Sequence, residues 1–357
     1  MSEILVTLIK IVVALAWFLF LTLYLTWLER KESAILQDRI GANRASIFGL
    51  RIFGLFQPFA DAIKMIFKED FVPAFADKVL HTLAPFVSFF FVAVTITAVP
   101  FGGDIVLGGR TISLQVFDGS VGLLYVLAML SLGIYGIILS GWASRNRFAL
   151  LGSVRGAAQL ISYEVALGLS LVGLIMVYPS LRLSEIVHFQ AGTIFGFLPR
   201  WGVFLQPLGF VLFFTAAFAE TKRVPFDMPE GESEIIGFFT EYGGLKWGLF
   251  MMTDFMEIIV VSALLTTLFF GGWQVPWLAA DGFHWPWGGQ GEMARWLVVL
   301  FQVAAFQVKV VFFCWLQILI RWTYPRFRYD QLMDLGWKLL VPLGLLNILG
   351  TGLVMSF

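Results

Sequence analysis

Eight apolar runs dominate this sequence: residues 4–28, 79–100, 120–141, 158–178, 204–222, 237–270, 294–320 and 337–356. About 20 residues of helix cross a hydrocarbon core of about 30 Å, and hydrocarbon admits only helices and closed barrels because every backbone polar group must be paired internally. The runs predict an all-α polytopic integral membrane protein of about eight transmembrane helices, with residues 1–357 as one integral-membrane domain. Only 13% of the residues are charged, against roughly 25% in a soluble domain. The first run lacks a basic leader and is closed by Glu29-Arg30-Lys31, so it reads as a retained helix. The sixth would reach about 50 Å as one helix, and Gly243-Gly244 is its expected break.

Basic residues set the expected orientation. Counting Lys222 and Arg295 at the edges of their runs, the connections after odd-numbered runs carry sixteen Lys and Arg, the others four, which places the former in the cytoplasm and both termini on the non-cytoplasmic side. The basic stretch from Gly141 to Arg155 is read as one short cytoplasmic loop. On the far side, Trp273, Trp277, Trp285 and Trp287 read as headgroup-level anchors. In the first cytoplasmic connection, Phe59, Ala62, Ile63, Ile66 and Phe67 recur at helical spacing while Asp61, Lys64 and Lys68 take another face, predicting an interfacial amphipathic helix.

Acids in and beside apolar runs are the candidate chemistry. Glu220, Asp227, Glu230, Glu232, Glu234 and Glu241 crowd the end of run five, the connection that follows and the start of run six, and Glu164, Asp254 and Glu257 lie further inside runs. A carboxylate near hydrocarbon must be protonated, paired or hydrated, so such a set suggests an ion or proton route. Asp254 and Glu257, three apart, share a helix face. Two plainer readings stay open: a solvated acidic loop, and buried acids neutralised by bases such as Lys246 or Lys309. One cysteine, Cys314, cannot hold an iron-sulfur cluster, and His81, His188 and His284 match no metal-ligand spacing. No cofactor is expected on this chain alone.

The string Ala219-Glu220-Thr221-Lys222-Arg223-Val224-Pro225-Phe226-Asp227-Met228-Pro229-Glu230-Gly231-Glu232-Ser233-Glu234 closely resembles the signature of the quinone-chamber membrane subunit of respiratory complex I. Further matches are Glu29-Arg30-Lys31, Gln57 to Lys64, Gly141-Trp142-Ala143-Ser144, Ile161-Ser162-Tyr163-Glu164 and Arg321 to Asp330. The chain departs from the family pattern at Gly41-Ala42-Asn43, where the pattern has Gly-Pro-Asn, and in a longer stretch from Gly41 to Gln57. It also has no acid at Ser131-Leu132-Gly133, where some members carry one.

The resemblance implies a non-cofactor-bearing subunit of a proton-translocating NADH:quinone oxidoreductase in an energy-transducing membrane, the bacterial plasma membrane. Quinone would be the substrate, and flavin and iron-sulfur clusters would sit on partner subunits. The implied partners are hydrophilic-arm quinone-site subunits, small membrane subunits, antiporter-like subunits and lipid, with no nucleic acid. Arg39, Phe59, Asp61 and Lys64 would line the quinone entrance, and Phe226 and Asp227 would face the chamber. Glu164, Glu220, Glu230, Glu232, Glu234, Glu241, Asp254 and Glu257 would relay protons. Alternatives are the homologous ion-coupling subunit of a membrane-bound hydrogenase or related dehydrogenase, a free-standing proton or cation transporter, and an anchor for a soluble arm.

Overall fold

Helices account for nearly all of the apolar sequence in a computed structural model, which describes residues 3–107, 110–194, 197–231, 237–279, 281–284 and 289–356. Among the described residues, seven helices are long and apolar enough to cross a membrane: α1 (Glu3–Leu36), α3 (Lys78–Thr95), α4 (Gly122–Ser144), α5 (Arg147–Val177), α7 (Gly244–Phe269), α8 (Arg295–Thr323) and α9 (Tyr329–Ser356). Between them come the amphipathic α2 (Gln57–Phe67) and the shorter apolar α6 (Pro207–Glu220).

Local chemistry sets the boundaries. The Asp77 carboxylate accepts from the amides of Val79 and Leu80 at 3.0 and 3.2 Å and starts α3. Gly243 caps α7, and Gly244 takes φ +52, which glycine adopts without a Cβ clash, so the sixth run breaks at the expected pair. The expected loop from Gly141 to Arg155 is a correction: α4 ends in a left-handed Arg145, and α5 begins at Arg147. Asn146 makes this tight turn possible by accepting from the Phe148 amide at 3.0 Å. The fifth run is also shorter than expected. Fourteen residues of α6 reach only about 21 Å. Pro207 and the non-helical Gln206 set its start, and Gln206 is buried, donating to Thr351 Oγ1 at 2.8 Å. Irregular backbone at such a position is tolerated where protein surrounds it.

The connections sort onto two sides. Asp77 bonds Ala143, Asn146 bonds Glu241, and Phe327 bonds Pro225, which joins the four connections that follow odd-numbered runs. On the other side Asp118 meets Arg182 and Ser184, Gln190 bonds the Thr267 carbonyl, and Gly103 meets Gln302. Short antiparallel pairs lie there, Ile105–Leu107 with Arg110–Ile112, Thr193–Ile194 with Leu198–Pro199, and Leu278–Ala279 with Gly282–His284 and Gln290–Glu292. Trp273 on this side is buried edge-on against His188; Trp277 is half-buried, and Trp285 and Trp287 lie outside the described residues.

Helix α7 is the centre. From Thr253 to Phe269 every residue is buried, whereas α1 leaves Ile4, Leu8, Val12 and Phe20 exposed as a lipid-facing helix would. Around it, α3 and α4 approach closely because Gly136 has no side chain: a Cβ there would lie 2.6 Å from Ser88 Cβ and 2.9 Å from the Ala84 carbonyl. Gly136→Val is expected to destabilise the protein by about 1–3 kcal/mol through overpacking. Lower thermal stability in detergent would check this, with Gly168→Val, where a Cβ meets nothing within 4 Å, as the unaffected control.

Candidate functional site

The connection after α6 carries the signature string and is seated on α5 by two glycines. A Cβ on Gly156 would lie 2.7 Å from the Pro229 ring, and one on Gly152 would lie 3.3 Å from the Pro229 carbonyl. Gln159 on the next turn donates to the carbonyls of Ala219 and Phe226, both at 2.7 Å, and so clamps the two ends of the turn. Phe226 is buried among Phe218, Tyr163 and Phe327, with ring centroids 5.6–5.9 Å apart, and Tyr163 donates to the Leu332 carbonyl at 2.8 Å. In this chain Phe226 anchors the turn.

The turn delivers two consecutive cations into the protein. Lys222, in the left-handed region at φ +55, places its ammonium 2.6 Å from Glu257 and 3.2 Å from Asp254 on α7. Arg223 points elsewhere, pairing with Glu29 of α1 at 2.9 Å and stacking 3.9 Å over the Phe255 ring. Arg321 of α8 pairs with the second oxygen of Glu29. Thus one ammonium serves two carboxylates, and beside it two guanidinium groups serve one.

Five of the acids predicted for the relay, together with Asp227, form a series in which each feels the charge of the next. Asp227 pairs with Arg326 at 2.6 Å, leaving its Oδ1 buried and unbonded. Burial pushes its carboxyl up to about 6 despite Arg326 and Arg321. Glu230, half-buried, feels the charges of Asp254 and Asp227, and burial followed by these two holds it well above the usual carboxylate range. Asp254 acts on Glu257 one turn along α7. Glu257 and Glu164 both act on Glu220, whose Oε2 is buried without a partner. Glu164 accepts a short hydrogen bond from Ser131 on α4. The order is therefore Asp227, Glu230, Asp254, Glu257, Glu220, Glu164.

Other predicted residues fall elsewhere. Glu241 accepts from Asn146 Nδ2 at 2.5 Å, at the junction of α4 and α5. Glu232 and Glu234 lie outside the described residues. Asp61 and Lys64 line a cleft of about 460 Å³ with Arg30, Met65, Tyr242 and Trp247. Arg39 is exposed and bonded to Gln37 and Ser33, while Arg30 makes the 2.6 Å pair with Asp61. Phe59 is exposed on α2. Lys246 pairs with Asp70 at 3.0 Å, and Lys309 donates to the carbonyls of Phe270, Gly272 and Gln274, so neither neutralises Asp254 or Glu257.

Sequence reasoning missed Glu29, Glu32, Arg30, Lys222, Arg223, Arg321 and Arg326 as parts of this site. Charges at the ends of apolar runs read as interfacial anchors. The available signal was the run of Lys222-Arg223 next to Glu220, because acids buried nearby need cations within reach. Glu32 is the extreme case, buried with neither carboxylate oxygen bonded. Among the described residues, no group of three or more His, Cys, Asp or Glu could hold a metal ion.

A family model described as NADH dehydrogenase matches residues 9–352. The chain is 47% identical over 346 residues to the first H subunit of the NADH-quinone oxidoreductase of Geobacter metallireducens, covering 96% of this chain and 95% of that one. It is 47% identical over 348 residues to the second H subunit of the NADH-quinone oxidoreductase of Geobacter sulfurreducens, covering 97% and 95%. With the NADH-quinone oxidoreductase H subunit of Thermomicrobium roseum, identity is 46% over 335 residues, covering 93% and 90%. With a match across nearly its whole length, the chain belongs to the NADH dehydrogenase family whose members include these three proteins.

Proposed function

We propose that this chain is the membrane subunit of a proton-translocating NADH:quinone oxidoreductase, helping to form the quinone entrance and chamber and passing protonation changes toward pumping subunits. The observation that carries the reading is the continuous row of interacting acids from Asp227 to Glu164. Family membership supports the substrate class, with electrons delivered by flavin and iron-sulfur clusters on partner subunits. The quinone enters past Asp61, Lys64 and Phe59, where Arg30 completes a polar rim on an apolar cleft. The side richer in Lys and Arg faces the cytoplasm and both termini face away from it. The membrane is the bacterial plasma membrane.

The residues act as a charge-coupled relay. Negative charge developing on a quinone near Asp227 and Glu230 favours their protonated forms. Lys222 then responds through its two partners: a proton on Glu257 releases the ammonium toward Asp254, and a proton on Asp254 releases it toward Glu257. Either shift changes the field at Glu220, which passes it to Glu164. The excess cation of the Glu29, Arg223 and Arg321 group holds the negative side of this process near the turn.

In the assembled complex, Glu220→Gln is expected to cut proton translocation by about a hundredfold, measured in proteoliposomes; unchanged translocation and quinone reduction would remove the relay. A photoreactive long-tailed quinone is expected to label residues 37–68, and labelling confined to other segments would remove the entrance assignment. Asp227 is ionised and bridged to Arg326 above pH 6 and gains its proton below it. The pH profile of quinone reduction should therefore show an acid limb near 6 that Asp227→Asn abolishes.

A further inference from the structure

Past the end of α1 the chain doubles back along the helix it has just left. Gly41 lies against α1, where a Cβ would be 2.7 Å from Ala34 Cβ and 3.3 Å from the Arg30 carbonyl. Gly54 returns to pack on Ala42, whose carbonyl a Cβ would meet at 2.1 Å. The Phe53 carbonyl then accepts from Trp27 Nε1 at 3.1 Å. Trp27 lies nine residues, about 13 Å, below Leu36 along α1. It stands at the last apolar turn before Glu29, the level where an indole marks the edge of hydrocarbon. Residue 53 is thus returned to the level of Trp27.

Between these two fixed points the chain makes a two-residue hairpin. Ile47 and Leu50 exchange backbone hydrogen bonds of 3.2 and 3.0 Å around Phe48 and Gly49, both with positive φ. Phe48 is fully exposed at the tip, and Ile47, Leu50, Ile52 and Phe53 are exposed beside it. The chain carries no acid from Arg39 to Ala60, whereas Arg44 and Arg51 flank the tip, both exposed and without an ion pair among the described residues. The patch continues onto α2, where Phe59, Ile63, Ile66 and Phe67 are also exposed. Apolar tips in water are costly, and two free guanidinium groups beside them favour phosphate.

We propose that residues 44–53 form a hairpin that inserts into the bilayer interface, with Phe48, Leu50 and Phe53 among the acyl chains and Arg44 and Arg51 on anionic phospholipid headgroups. The hairpin fixes the outer end of α1 and the start of α2 at a set depth, and these two elements carry the Arg30–Asp61 edge of the cleft. Lipid is the occupant because the fold returns the C-terminal end of the hairpin, Phe53, to the level of Trp27, with charge complementary to anionic headgroups.

The test places benzoylphenylalanine at position 48 in the whole complex in its native membrane, with Arg145, exposed on the turn between α4 and α5, as a second labelled site. The expected result is a phospholipid adduct at position 48 and none at position 145. Cross-linking of position 48 to another protein subunit, or no lipid adduct, overturns the proposal. In reconstituted bilayers, adding phosphatidylglycerol to phosphatidylcholine should raise the lipid-adduct yield at position 48. Combining Arg44→Gln with Arg51→Gln should lower the phosphatidylglycerol adduct roughly tenfold. A yield indifferent to both lipid charge and the arginines would overturn the headgroup assignment.

Discussion

One ammonium shared between two carboxylates inside a sealed helix is the constraint that the rest of this structure satisfies. Asp254 and Glu257 are buried on α7 between apolar neighbours along the helix, and desolvating either as an unpaired anion would cost several kcal/mol. Among the described residues no base on the facing helices pairs with them; Lys246 and Lys309 have other partners. The cation must come from a connection, and the connection must enter the protein to deliver it. This accounts for Lys222 in a left-handed conformation, which costs a non-glycine residue roughly 1–2 kcal/mol. It also accounts for the glycines of α5 that let the turn sit down and for Gln159, which ties both ends of the turn with one amide.

Because Lys222 and Arg223 are adjacent in sequence but turn to opposite partners, the site is divided into two neighbouring groups of unlike charge. Lys222 with Asp254 and Glu257 carries an excess anion when all three are ionised; Arg223 and Arg321 with Glu29 carry an excess cation. Such a pair of groups is stabilised as a whole, yet each is short of a partner and so responds to any new charge beside it. A core with complete one-to-one pairing would be insensitive. Glu220, with an unbonded buried oxygen between Glu257 and Glu164, extends the sensitive region away from the turn.

Hydropathy made the membrane class and most helices legible, because long apolar runs have few other solutions. It could not reveal the short α6, since Gln206 and Pro207 scarcely change an average over twenty residues yet end helical geometry at once. The basic start of α5 was hidden for the opposite reason: Arg145 and Arg147 lower the average, although Asn146 caps a helix there. The acids of α7 were legible as a same-face pair from spacing alone. Their cation was not read, because Lys222-Arg223 at the end of an apolar run looks like an interfacial anchor until the loop is seen to fold inward. The resemblance put Arg39 at the entrance; Arg30 on α1 lines the cleft and pairs with Asp61, while Arg39 beyond the helix end bonds Gln37 and Ser33.

Helix α1 joins the two polar regions through consecutive residues. Glu29 reaches inward to Arg223 and Arg321, while Arg30, about 100° further around the helix, reaches outward to Asp61 on α2. Neither contact can move along the helix without dragging the other, because one rigid turn holds both. A change in how α2 sits against α1 at the cleft therefore alters the restraint on the arginines around Glu29, and through Arg223 the setting of Lys222 next to it. Mechanical linkage of this kind needs no chain of side chains between cleft and row. It needs only that α1 be stiff and that its two neighbouring charges face different partners.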